Sequence, residues 1–133
     1  MLYSPAKMAI VFVIARDWTL RTAVRAELRE LGIEALGMES AEDVGRALAA
    51  GQMPAAVVLE GTADIAGDPA VKKLIERVPA ILIASRTETP PETLPHPEGV
   101  ARLPRFAAIL YRPVRIAEIV ARVREVLERG TAA

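Results

Sequence analysis

Short apolar runs with no polar residue inside them recur along the chain: residues 9–15 (AIVFVIA), 54–59 (PAAVVL), 80–84 (AILIA) and 107–111 (AAILY). A strand with one wet face alternates apolar and polar residues. A strand that reads as continuously apolar has both faces covered, as in a parallel sheet flanked by helices. These runs fall far short of the roughly 20 residues needed to span a bilayer. The first is followed at once by Arg16 and Asp17, which argues against a signal peptide. The spacing predicts strands over 9–15, 54–60, 80–84 and 107–111, and a weaker one over 33–38 (IEALGM).

The segments between these runs carry the helical period. Asp17 or Thr19 caps a helix through about Leu31, with Leu20, Val24, Leu28 and Leu31 on one side and Gly32 ending it in the left-handed position. Ser40 and Asp43 resemble a capping box that opens a helix carrying Val44, Ala47 and Leu48, and Gly51 closes it. Residues 61–67 read as a loop. Asp68-Pro69 is a cap followed by proline at the first helical position, with Val71, Leu74, Ile75 and Val78 facing inward. Five prolines between 90 and 104 leave the segment 86–105 largely irregular, with at most one short helix over 98–103. After Pro113, Ile116, Ile119, Val120, Val123, Val126 and Leu127 form the buried stripe of a last helix that ends at Gly130.

Composition excludes several classes. At 133 residues, 52% hydrophobic, the chain is one domain with enough apolar mass for a core. Seventeen basic and seventeen acidic residues cancel, which argues against a domain held by nucleic-acid phosphates. Aromatics at 4% leave little on which to stack bases. With no cysteine there is no disulfide framework. No membrane partner is expected, no nucleic acid is bound by this domain, and the expected location is cytoplasmic.

Five buried strands alternating with helices predict a three-layer α/β/α sandwich on an open parallel sheet. Such folds react and bind where the strands end, so the informative residues are Ala15-Arg16-Asp17, Glu60-Gly61, Ala84-Ser85 and Arg112-Pro113. Those exits, together with Leu20-Arg21 past the first strand, PAAVVLE over 54–60, VPAILIA over 78–84 and Tyr111-Arg112-Pro113-Val114, resemble a response-regulator receiver domain. This is the phosphate-accepting module of two-component signalling. The resemblance covers about residues 8–129, with 1–7 and 130–133 as flexible ends. It implies a flavodoxin-like sheet of order 2-1-3-4-5, here with the fourth helix shortened or lost, and a cis bond between Arg112 and Pro113.

The same resemblance implies a chemistry whose residues have changed. Receivers carry an acidic pair after the first strand that holds Mg²⁺, a phosphorylated aspartate ending the third, a hydroxyl after the fourth and a lysine after the fifth. The matching positions here are Ala15 and Arg16, then Glu60, Ala84 and Arg112, with Asp17 as the one extra carboxylate beside the pair. Phosphoryl transfer needs metal and cation to neutralise charge on the transferring group; these residues make a poor Mg²⁺ site. No metal and no cofactor is therefore expected. Glu60 has three readings: a solvated strand-end carboxylate, a paired group that mimics phosphorylation, and a true phosphoacceptor. Ser85, one position past the switch residue, reads as a loop hydroxyl, His96 as an exposed loop residue and Trp18 as packing or a lid over the pocket. The aromatic that receivers carry in the fifth strand is replaced by Ile109, and Tyr111 is read as pointing to the other side.

The leading expectation is an atypical receiver (a pseudo-receiver) in phosphorelay signalling. It is not an enzyme, and it acts without phosphorylation through protein partners: a histidine kinase or a second copy of the chain. The alternatives are a conventional phosphoacceptor using Glu60 and Asp17, and an unrelated small α/β enzyme or nucleotide-binding domain. The latter lacks support from any Gly-rich phosphate loop. The pocket is expected to hold Glu60 within salt-bridge distance of Arg16 or Arg112, with Glu60 and Asp17 balanced by the two arginines.

Overall fold

The computed structural model describes residues 9–61, 63–85 and 106–132. The readings made for 86–105, including the fourth helix and His96, lie outside the described residues, as does the leader 1–7. Five strands, β1 (Ile10–Ile14), β2 (Glu34–Met38), β3 (Ala56–Glu60), β4 (Ala80–Ala84) and β5 (Ala108–Tyr111), form one parallel sheet of order β2-β1-β3-β4-β5. Three of the four unbroken apolar runs, those of β1, β3 and β4, are the three inner strands; the fourth, β5, is an edge strand and is only partly buried. Each inner strand is flanked by two strands and covered on both faces, so all but the ends of β1 and β3, at Ile10 and Glu60, are buried.

Strand parity splits the core in two. Val11, Val13, Ala15, Val58, Ile81 and Ile83 pack with Leu20, Val24 and Leu28 of α1 (Trp18–Glu30) and Ile119, Val120 and Val123 of α5 (Ile116–Ala132). Phe12, Ile14, Val57, Leu59 and Leu82 pack on the other face with Val44 of α2 (Ala41–Ala49), Ile65 of α3 (Ala63–Ala66) and Val71, Leu74 and Ile75 of α4 (Pro69–Arg77). Ile109 joins this second face. Tyr111, two residues on, shares that face by the period of the strand, which corrects the reading that set the two on opposite sides.

The helix boundaries follow from local hydrogen bonding. Asp17 caps α1 through the Thr19 and Leu20 amides. The Ser40 hydroxyl accepts from the Asp43 N–H, while the Asp43 carboxylate reaches back to the Glu39 N–H, one residue before the cap that a regular capping box would reach. Asp68 caps α4 with proline behind it. At the end of α1 the Gly32 N–H donates to Arg29 and the Ile33 N–H to Leu28, a Schellman closure with Gly32 at φ 79°. Leu31 falls in this closure, beyond the last helical residue, and is 48% exposed; it does not join the buried stripe.

Two further boundaries differ from expectation. The segment 61–67 contains the helical turn α3, because Ile65, 2% exposed, is drawn into the core and winds its neighbours with it. The last helix continues past Gly130 to Ala132; glycine weakens a helix interior without forbidding it. An alanine Cβ at Gly32 would meet nothing within 4 Å, so the cost of Gly32→Ala lies in the backbone alone. It is expected to destabilise by about 1–2 kcal/mol, the penalty for an L side chain in the left-handed region, read from the urea unfolding midpoint.

Candidate functional site

Parallel register brings the strand exits together. Ile14 is paired with Leu59, Glu60 with Ile83 and Ala84 with Tyr111, so the residues that follow β1, β3, β4 and β5 line one end of the sheet. All the sequence-predicted positions are there, but they contribute in different ways.

Glu60 is the centre. Its side chain is only 14% exposed. Oε1 accepts from the main-chain N–H of Arg16 at 2.6 Å and of Asp17 at 3.2 Å. Oε2 lies 2.6 Å from Nη2 of Arg112. The other arm of the same guanidinium, Nη1, is 3.4 Å from Oδ2 of Asp17. Arg112 thus bridges two carboxylates with the planar fork that suits them. It is anchored by its own N–H on the Ala84 carbonyl at 2.8 Å and precedes a cis bond to Pro113, as the resemblance implies.

Of the two arginines expected near Glu60, Arg112 meets it through the side chain and Arg16 through the backbone. This revises the charge balance. Glu60 is offset by Arg112 and two amide dipoles, and Asp17 by the positive end of α1, whose first turn it caps. The arrangement depends on the length of glutamate: aspartate, shorter by one C–C bond of about 1.5 Å, would not reach Arg112 and the two amides from the same backbone.

The remaining positions are plain. Ala84 is buried and presents a methyl group where receivers have a hydroxyl. Ser85, the residue after β4, is half-buried. Trp18 is 67% exposed, so it is not a packing residue. Ala15 is fully buried; its carbonyl accepts from Nη1 of Arg21 at 2.7 Å. Sequence reading missed that contact, since it placed Arg21 only as a spacing match.

The Asp17 carboxyl is held below its ordinary pKa, first by the Leu20 amide, which burial opposes in part, and further by Arg112 and the Thr19 amide. A carboxyl whose folded pKa is lowered binds fewer protons in the native state than in the unfolded one. Its contribution is therefore present above the unfolded value near pH 4 and is lost as pH falls through the lower folded value. Asn caps a helix about as well as Asp, so Asp17→Asn keeps the cap and removes the charge. It is expected to flatten the fall in stability below about pH 4, measured by urea unfolding between pH 7 and pH 3.

The implied Mg²⁺ does not fit these residues. Each oxygen of Glu60 and of Asp17 already faces an N–H donor. A small ion that demands near-octahedral oxygen ligands would have to displace Arg112 from both carboxylates. Among the described residues, no three acidic or histidine side chains gather into a metal-holding group.

No protein-family model matches the chain, and no curated protein matches it in sequence. Solved structures do match in fold. A response regulator receiver protein from Burkholderia phymatum is 22% identical with a TM-score of 0.69, over 90% of this chain and 95% of that one. A receiver domain protein from Methanospirillum hungatei is 12% identical with a TM-score of 0.70, over 95% and 99%. The Francisella response regulator 1452 receiver domain is 16% identical with a TM-score of 0.69, over 92% and 98%. The chain has the receiver fold, with the flavodoxin-like strand order. No helix among the described residues is long and apolar enough to cross a membrane.

Proposed function

We propose that this chain is an atypical receiver domain of phosphorelay signalling, a pseudo-receiver that works without phosphorylation and without turning over a substrate. It acts as a protein-interaction module in the cytoplasm, on a histidine kinase or on a second copy of itself. The observation that carries this reading is the 2.6 Å bridge from Arg112 to Glu60, whose other oxygen is held by two main-chain amides. In a conventional receiver the basic residue of this position meets the phosphoryl group once it has been transferred. Here it already grips a carboxylate that is part of the chain, so the contact is made permanently and one conformation is preset.

The energetics support a role in geometry more than in bulk stability. Arg112 is 37% exposed along its side chain, and an ion pair that wet is worth about 0–1 kcal/mol. Charge-assisted bonds from amides are worth about 1.5–3 kcal/mol each when shielded from water; with Arg16 exposed and Asp17 half-buried, the two together contribute about 2 kcal/mol, still more than the ion pair.

The test is incubation with Mg²⁺ and a small acyl-phosphate donor, followed by intact-mass measurement. The expected result is no phosphate-sized gain and no Mg²⁺-dependent rise in melting temperature, because an ion stabilises only a fold that binds it. A gain that disappears in Glu60→Gln would instead make the chain a conventional phosphoacceptor and overturn the reading.

A further inference from the structure

We propose that Arg21 is a positioning residue of the Glu60–Arg112 pocket and acts through the peptide group between Ala15 and Arg16. Nη1 of Arg21 donates to the Ala15 carbonyl at 2.7 Å, and the Arg16 N–H donates to Glu60 at 2.6 Å. That carbonyl and that N–H belong to one peptide unit, which is planar and points its two polar groups in opposite directions. A cation on the oxygen and an anion on the hydrogen polarise the unit in the same sense, and each strengthens the other's bond. Fixing the carbonyl also fixes the aim of the N–H, since the unit turns as a whole.

Arg21 reaches this carbonyl by crossing the edge strand. Its Cγ and Cδ lie 3.1 Å from where a Cβ would stand on Gly37 of β2, and Cδ of Arg25 lies 2.9 Å from the same point. Glycine leaves the path open; a larger residue would press on both stems. Arg25 has similar surroundings but another target, the Ala35 carbonyl, with its Nε at 3.3 Å. The two arginines share a helix and the space above Gly37, yet only Arg21 touches the peptide that holds Glu60.

The contacts close a circuit. Arg21 stands on α1, α1 is capped by Asp17, Asp17 faces Arg112, and Arg112 holds Glu60, which receives the Arg16 N–H. The position of α1 and the state of the pocket are thereby tied at two points, the cap and Arg21.

The inference rests on the reading of the pocket as a preset clasp. The Arg16 amide resonance in the ¹⁵N-labelled chain reads it directly. Arg21→Met keeps an apolar stem over Gly37 and removes the donor. It is expected to move the Arg16 amide proton upfield and to speed its exchange about tenfold, the loss of roughly one hydrogen bond's net worth. Arg21→Lys restores a donor and recovers most of the shift. Gly37→Ala, which leaves Arg21 in the sequence but obstructs its path, moves the same resonance in the same direction. Arg25→Met leaves it in place. An unmoved Arg16 amide in Arg21→Met, or an equal change in Arg25→Met, overturns the proposal. A phosphate-sized mass gain in the unsubstituted chain speaks to the function of the pocket alone, so the two readings fail separately.

Discussion

Glu60→Ala is expected to lower the melting temperature by roughly 10 °C. The substitution strips the partner from the amides of Arg16 and Asp17 and from Nη2 of Arg112 at once. Leaving such donors without an acceptor costs about 1–3 kcal/mol for each one that water fails to reach. Arg16 is exposed and Asp17 half-buried, so water recovers part of the loss and a total of about 2–3 kcal/mol remains. At this chain length each kcal/mol moves the midpoint by roughly 3–5 °C. Glu60→Gln keeps a carbonyl oxygen for the amides, but it removes the charge that assists their bonds and turns an NH2 donor toward Nη2 of Arg112, so its fall is expected to be about half as large. Calorimetry on the two variants separates what a neutral acceptor supplies from what the charge supplies. Equal falls would show that the charge alone holds Glu60.

Phe12→Ala is expected to have the largest effect on folding. Phe12 is in the inner strand β1, is fully buried, and joins Ile14, Leu59 and Leu82 in the core beneath α2 and α4. Large-to-small changes of this kind cost about 3–5 kcal/mol, part from lost transfer energy and part from the cavity left behind. That is a large share of the 5–15 kcal/mol typical of a domain. Urea unfolding is expected to show a midpoint lowered in proportion with the slope retained. A drop below about 1 kcal/mol would mean that the helices on this face collapse into the space.

The two variants report on different parts of the molecule. Loss of Phe12 weakens the frame that holds all four strand exits, whereas loss of Glu60 leaves the frame and removes what the exits hold. Far-ultraviolet circular dichroism at low temperature is expected to be unchanged in Glu60→Ala.

The strands, the caps and the burial of both sheet faces were legible in the sequence because each is written over a few residues. An unbroken apolar run such as AILIA has one low-energy placement, between two covered faces. Asp17, Ser40 and Asp68 sit where a short oxygen-bearing side chain reaches its own helix's first amides. Gly32 and Gly51 stand where the chain turns left-handed, at φ 79° and 90°. At 61–67 a long-range contact outweighed the local signal. Ile65 entered the core and made a helical turn out of an expected loop.

The pocket was legible as a list of positions and not as a set of bonds. Sequence alone determined that Glu60, Arg112, Asp17 and Arg16 stand at strand exits, because strand length and parity place them there. The resemblance to receivers added that their acidic pair and hydroxyl are matched here by Ala15, Arg16 and Ala84. Only the tertiary structure decided that Arg112 and not Arg16 sends its side chain to Glu60, that Arg16 and Asp17 give main-chain amides instead, and that Arg21 holds the Ala15 carbonyl. The partners of Glu60 are 43, 44 and 52 residues away, so their meeting depends on the register of four strands and on the turn after β1. A main-chain N–H is the same at every residue except proline, so no residue type announces which one will be aimed at a carboxylate. That direction is set by backbone angles, and those are fixed only when the sheet and α1 have packed.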